Sequence, residues 1–331
     1  MSEIVDVLVM IHGMVPEPDP LDPSEVCKAF RHKLVQVERN LPSVFDDEVY
    51  VQWGHELSNT PPQDMREDQR LTQAQSFAHN RVAYDAVRTD PHPNNRLMSG
   101  SFGFGVDYNL TPGLRNIITT IRDTILHFGL GDAVYYCAPE GEEYIRRTVY
   151  EQVLTVVDQF KQADTVRLHL VGHSLGVTLT HDFLFGLFAS DHDPGFVEDD
   201  QGSELAKALF IKWRDKAQTN VLQLGTLISM ASQLPVFMLR KQSLVNQLFN
   251  GELLDPAKIG IQDEATIRWL IFYDVDDILG FTTRRLYHPS GAIKEIQVDT
   301  DDWPNKAHTG YWTNKTVLRE TAQLLLSNAG G

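Results

Sequence analysis

The stretch that most constrains this chain is VRLHLVGHSLGVTLTHDF, residues 166 to 183. A short apolar run rich in β-formers ends at Gly172-His173-Ser174-Leu175-Gly176, and an amphipathic run follows without a break. A strand that becomes a helix within one such turn leaves no room for side chains at the two glycines. The same turn lifts a serine hydroxyl to the carboxyl edge of a sheet, beside the amino end of a helix whose N–H groups favour negative charge. With Gly and Ser each about 7% of residues, a chain of this length holds a Gly-x-Ser-x-Gly by chance roughly one time in ten. Context therefore decides.

That context is an alternation of short β-rich runs with longer helical ones, the pattern of a largely parallel sheet covered by helices on both faces. Six strands are expected at about 4–11, 48–53, 166–171, 222–230, 266–273 and 292–298. Several are near-continuous apolar runs, as strands buried on both faces require. Apolar spacing of three and four predicts helices over 24–39, 112–129, 142–162, 175–189, 203–217 and 313–327. The 331 residues suit one large domain. The stretch 54–112, with one helical run near 68–88, reads as a lid, an oligomer contact or a binding insertion; a second irregular stretch runs over 189–202, and 54–112 and 189–220 are the candidate insertions for a lid or cap.

A serine hydroxyl near its ordinary pKa needs a base, and the base needs a carboxylate to orient it. Where a nucleophile stands on a strand-to-helix turn, the partners follow in the order Ser, acid, His. Of the twelve histidines, only His288 and His308 lie beyond a plausible acid. His288 sits in a turn leading into the last strand, whereas His308, in NKAHTGYW, follows that strand and precedes the last helix, which is the correct sheet edge. The loop after the fourth strand, SMASQLP, has no carboxylate; the loop after the fifth holds Asp274, Asp276 and Asp277. Asp277 stands a few residues into that loop, with room to bend, and ranks ahead of Asp274. Oxyanion donors are expected from the N–H of Leu175 and, after the first strand, the N–H of Met14. Gly13 would admit a close approach of backbone to substrate, and His12, Gly13 and His173 are candidate substrate contacts.

Gly-His-Ser-Leu-Gly after a strand, His12-Gly13 ending an earlier one, an Asp-rich loop after a later one and AHTGYW before a terminal helix together resemble the α/β-hydrolase superfamily, in particular its esterase and lipase-like members. The resemblance runs from about Val5 to Leu326. It implies Ser174 as nucleophile, Asp277 as acid, His308 as base, Met14 and Leu175 as oxyanion donors, and cleavage of a carboxylic ester. Thioester hydrolysis, amide hydrolysis or acyl transfer would use the same parts, and a silent scaffold that binds a partner is the reading of another class. Two departures stand out: with the His12-Gly13 strand starting near residue 4, the antiparallel hairpin that often opens this fold is expected to be missing, and there is no HGGG cluster.

Composition narrows the partners. Lys plus Arg is 29 against Asp plus Glu 45, a net charge of −16 that repels phosphate backbones and anionic lipid, so nucleic acid is not expected. Cys27 and Cys137 have no metal-binding or disulfide-framework spacing, and the short apolar run in MSEIVDVLVMIHGM is expected to be a buried strand rather than a signal peptide or membrane span, so a cytoplasmic setting is expected. His169 and His173 are four apart on a strand, about 13 Å, too far to share a metal ion. His55-Glu56 begins no HExxH, DVDDILG lacks the full ligand set of a calcium loop, and SGSFGFG has no following Gly-Lys, so no metal or organic cofactor is expected.

Overall fold

The computed structural model describes residues 3–13, 24–53, 139–189, 204–237, 248, 250–302 and 304–330. Six strands form one sheet: β1 (Ile4–Ile11), β2 (Asp47–Val51), β3 (Thr165–His173), β4 (Leu222–Met230), β5 (Trp269–Tyr273) and β6 (Ile293–Gln297). Their order is β2-β1-β3-β4-β5-β6, and every pairing among the described residues is parallel. The helices are α1 (Ser24–Val37), α2 (Pro139–Val157), α3 (Leu175–Phe188), α4 (Glu204–Gln218), the short α5 (Leu234–Phe237), α6 (Pro304–Gly310) and α7 (Lys315–Asn328).

Period-two alternation along β1 sends its side chains into two separate cores. Val5, Val7, Val9 and Ile11 pack with Val153 and Leu154 of α2, Phe183 and Leu187 of α3, and Phe210 and Trp213 of α4. Leu8 and Met10 pack with Phe30 and Leu34 of α1 and Leu318 and Leu325 of α7. Helices therefore cover both faces. This explains why β1 and β3 are largely apolar, broken in β1 only by Asp6: both faces of the sheet are covered. The sheet is a doubly covered, parallel α/β sheet.

The strand order also fixes where a site can form. From β1 the chain runs by way of α1, on one face, to the edge strand β2, and then returns to β3 on the other side of β1. From β3 it turns into α3, on the opposite face. The connections that leave β1 and β3 thus diverge, which opens a crevice at the carboxyl ends of these two strands. Residues 12–13 and 173–174 stand at that crevice.

Five of the six predicted helices have counterparts here, with ends shifted by a few residues, while the predicted helix at 112–129 and the expected insertion at 54–112 lie outside the described residues. Of the stretch 189–220, residues 204–218 form α4, a packed element of the core, and 190–203 lie outside the description. Among the described residues no helix is long and apolar enough to cross a membrane.

Candidate active site

Ser174 follows β3 and stands at the N-terminal boundary of α3 with φ 55° and ψ −126°, a left-handed backbone that a residue with a Cβ adopts only at a cost of about 1–3 kcal/mol. The local packing enforces it. A Cβ on Gly176 would lie 2.4 Å from the Ile11 carbonyl oxygen and 2.5 Å from that of His12, so only glycine lets α3 start against the end of β1. A Cβ on Gly172 would meet the Thr180 hydroxyl at 2.9 Å. The Ser174 N–H donates to the Met230 carbonyl at 2.9 Å, and the Ser174 carbonyl accepts from Val177 N–H at 3.0 Å, which pins the turn on both sides.

From this turn the Ser174 hydroxyl donates to Nε2 of His308 at 2.9 Å. The His308 Nδ1–H in turn donates to Asp277, whose Oδ1 and Oδ2 lie at 2.9 and 3.1 Å. Ser174, more than a hundred positions before Asp277 and His308, thus joins them in one hydrogen-bonded chain. Asp277 is buried, and burial alone would raise its pKa; the hydrogen bond and charge of His308 and the Leu279 N–H at 3.0 Å outweigh that and hold it below the ordinary carboxylate range. It stays an anion.

Asp274, the second-ranked acid, does not reach the imidazole. Its Oδ2 accepts from both the backbone N–H and the hydroxyl of Thr300, each at 2.6 Å, and its Oδ1 accepts from Asp276 N–H at 2.9 Å. Asp276 is exposed. Asp274 therefore ties the loop after β5 to the loop after β6.

His308 belongs to α6, a helix of seven residues opened by Pro304, a residue suited to the first helical position because its missing N–H would have no partner there. Sequence periodicity misses this element because it is under two turns long. The His173 Nε2–H donates to the His308 carbonyl at 2.7 Å, and the His173 ring packs 5.1 Å from that of His308 and 4.9 Å from that of Trp312. Burial, then the neighbouring His308, push His173 down to about 3, so it is a neutral donor that holds the backbone of His308. His173, a candidate substrate contact in the sequence, is buried here, 5% exposed.

His12, expected in the same role, is 2% exposed and stacks on Trp53 with centroids 5.3 Å apart, while the Trp53 Nε1–H donates to the His12 carbonyl at 2.9 Å. Gly13 faces the serine directly: a Cβ there would lie 2.7 Å from Ser174 Cβ and 3.0 Å from His173 Nδ1. Leu175 opens α3 and its side chain is buried. Met14 lies outside the described residues.

Tyr311 was not singled out by sequence reasoning. Its buried hydroxyl accepts from Asp274 N–H at 2.8 Å and donates to Asp277 Oδ2 at 3.1 Å. The signal was present in AHTGYW, three residues after His308, where one helical turn returns a side chain to the same side. Among the described residues no group of three or more His, Cys, Asp or Glu is arranged to hold a metal ion. Compared with known protein families, curated proteins and solved structures, the chain matches none.

Proposed function

We propose that the protein is a serine hydrolase of the α/β-hydrolase type, which cleaves a carboxylic ester through an acyl-enzyme on Ser174. The observation that carries this reading is the chain Ser174 Oγ, His308 Nε2, His308 Nδ1, Asp277, with heavy-atom separations of 2.9 to 3.1 Å at the carboxyl edge of a parallel sheet.

The chemistry follows from that order. His308 Nε2 takes the Ser174 proton as Oγ attacks the ester carbonyl, and Asp277 stabilises the imidazolium that forms. Negative charge develops on the former carbonyl oxygen, where the Leu175 N–H at the start of α3 is the donor this reading assigns, with the N–H of Met14 as its second. The amino end of α3 adds a favourable dipole. His308 then protonates the departing alkoxide. Water repeats the sequence, activated by the same histidine, and releases the acid from Ser174.

Support for an uncharged ester comes from the loop that carries Asp277, where Val275, Ile278 and Phe281 are exposed apolar side chains. The direct test is turnover of p-nitrophenyl acetate. Hydrolysis that falls at least about 10³-fold in Ser174→Ala supports the proposal. Equal turnover in the two proteins would overturn it.

A further inference from the structure

Tyr311 takes no part in the acyl transfer derived above, yet its hydroxyl touches both acidic residues of the loop after β5. An amide N–H cannot accept, so the bond from Asp274 N–H occupies a lone pair of the phenol oxygen. The single phenol proton is therefore directed at Asp277 Oδ2. Burial, and then the charge of Asp277, push the phenol far above its ordinary range, which keeps that proton in place.

The contacts close into a circuit. Asp277 accepts from His308 and Tyr311; Tyr311 accepts from Asp274 N–H; the Asp274 carboxylate accepts from Thr300 N–H; and the Thr300 hydroxyl shares its one proton between Asp274 Oδ2 at 2.6 Å and the carbonyl of Ala307, the residue before His308, at 2.8 Å. Acid and base are thus braced against each other from both sides.

Resting on the serine-hydrolase reading, we propose that Tyr311 is a positioning residue: its hydroxyl fixes the rotamer of Asp277 and shares the carboxylate charge, and so sets how strongly Asp277 holds the imidazolium of His308. A carboxylate that loses a donor concentrates its charge on the remaining partner. Without the Tyr311 hydroxyl, His308 binds its proton more tightly in the free enzyme, and the acid limb of kcat/KM moves to higher pH.

The other titratable or charged groups around the pair are His173 at the end of β3, His12 after β1, and Asp274 with the exposed Asp276 in the loop after β5. His173, near 3, is neutral through the whole profile.

The experiment is a pH profile of p-nitrophenyl acetate hydrolysis for the unmodified chain, Tyr311→Phe, and the chain carrying 3-fluorotyrosine at position 311 alone. Tyr311→Phe is expected to lower kcat about 10-fold with KM little changed, and to raise the acid limb by about half a pH unit. The more acidic fluorophenol donates more strongly, so its limb moves the opposite way. The fluorinated chain keeps the side-chain shape and carries the test even if Tyr311→Phe fails to fold. Limbs that coincide in all three proteins, or a rate loss that tracks melting temperature alone, would overturn the proposal. A fluorophosphonate probe separates the two levels: no labelling of Ser174 in the unmodified chain sinks the hydrolase reading itself, whereas normal labelling with coincident limbs sinks only the role of Tyr311.

Discussion

Two aspartates three positions apart in DVDD have different work because the loop presents them to different partners. Asp277 receives the His308 imidazole, the Tyr311 phenol and the Leu279 N–H, whereas Asp274 receives Thr300 and the Asp276 N–H. Under the proposed mechanism, Asp277→Asn leaves His308 in the wrong tautomer or without an orienting charge and lowers kcat by about 10³–10⁴. Asp274→Asn keeps the acid and loosens the brace, so its loss is about 10-fold with a lower melting temperature. Steady-state hydrolysis of p-nitrophenyl acetate by the two variants is the check. A larger loss in Asp274→Asn would reverse the assignment.

At the scale of elements, what the sequence made legible follows from length and period. All six strands and the helices over 24–37, 175–188, 204–218 and 315–328 lie close to where apolar spacing puts them, because each has enough residues to display its period and each faces a core. The seven-residue α6 is too short for that, and only its opening proline marks it. The strand-to-helix turn at Ser174 was readable because its glycines are demanded by close neighbours, Gly176 by the carbonyls of Ile11 and His12 and Gly172 by the Thr180 hydroxyl. The meeting of Ser174, His308 and Asp277 rested on chain order and sheet edge. Tyr311 was not readable in that way, since a tyrosine at a helix end looks like core until the carboxylate it touches is known. His12 and His173 stand beside the site as their sequence positions imply; that their rings pack on Trp53 and Trp312 is not visible in the sequence, because those tryptophans lie far along the chain.

For the molecule as a whole, buried histidines set the response to acid. His173 is pushed down to about 3 and His181, packed against Trp269, to about 4, in each case chiefly by burial; His169 is also lowered by burial, against the pull of Asp6. Folded values below the ordinary 6.5 mean that the unfolded chain takes up protons first as pH falls. Their contribution to stability is present above about pH 6.5 and drains away toward pH 4. Asp6 is held at about 2: burial would raise it, but His169, the bidentate Arg167 and the Gly330 N–H outweigh that, so its share is lost only below about pH 4. Melting temperature is therefore expected to drop by several degrees between pH 7 and pH 4.5, and to drop less in His181→Phe. Identical melting temperatures at the two pH values would contradict this account.

The central claim, that Ser174 is an activated nucleophile, is tested most directly by incubating the folded chain with a fluorophosphonate and locating the adduct by peptide mass spectrometry. A single adduct is expected on Ser174, formed at least about 10²-fold more slowly in His308→Ala, which lacks the proposed base. A folded protein that stays unlabelled at Ser174, or that is labelled equally fast without His308, would contradict it.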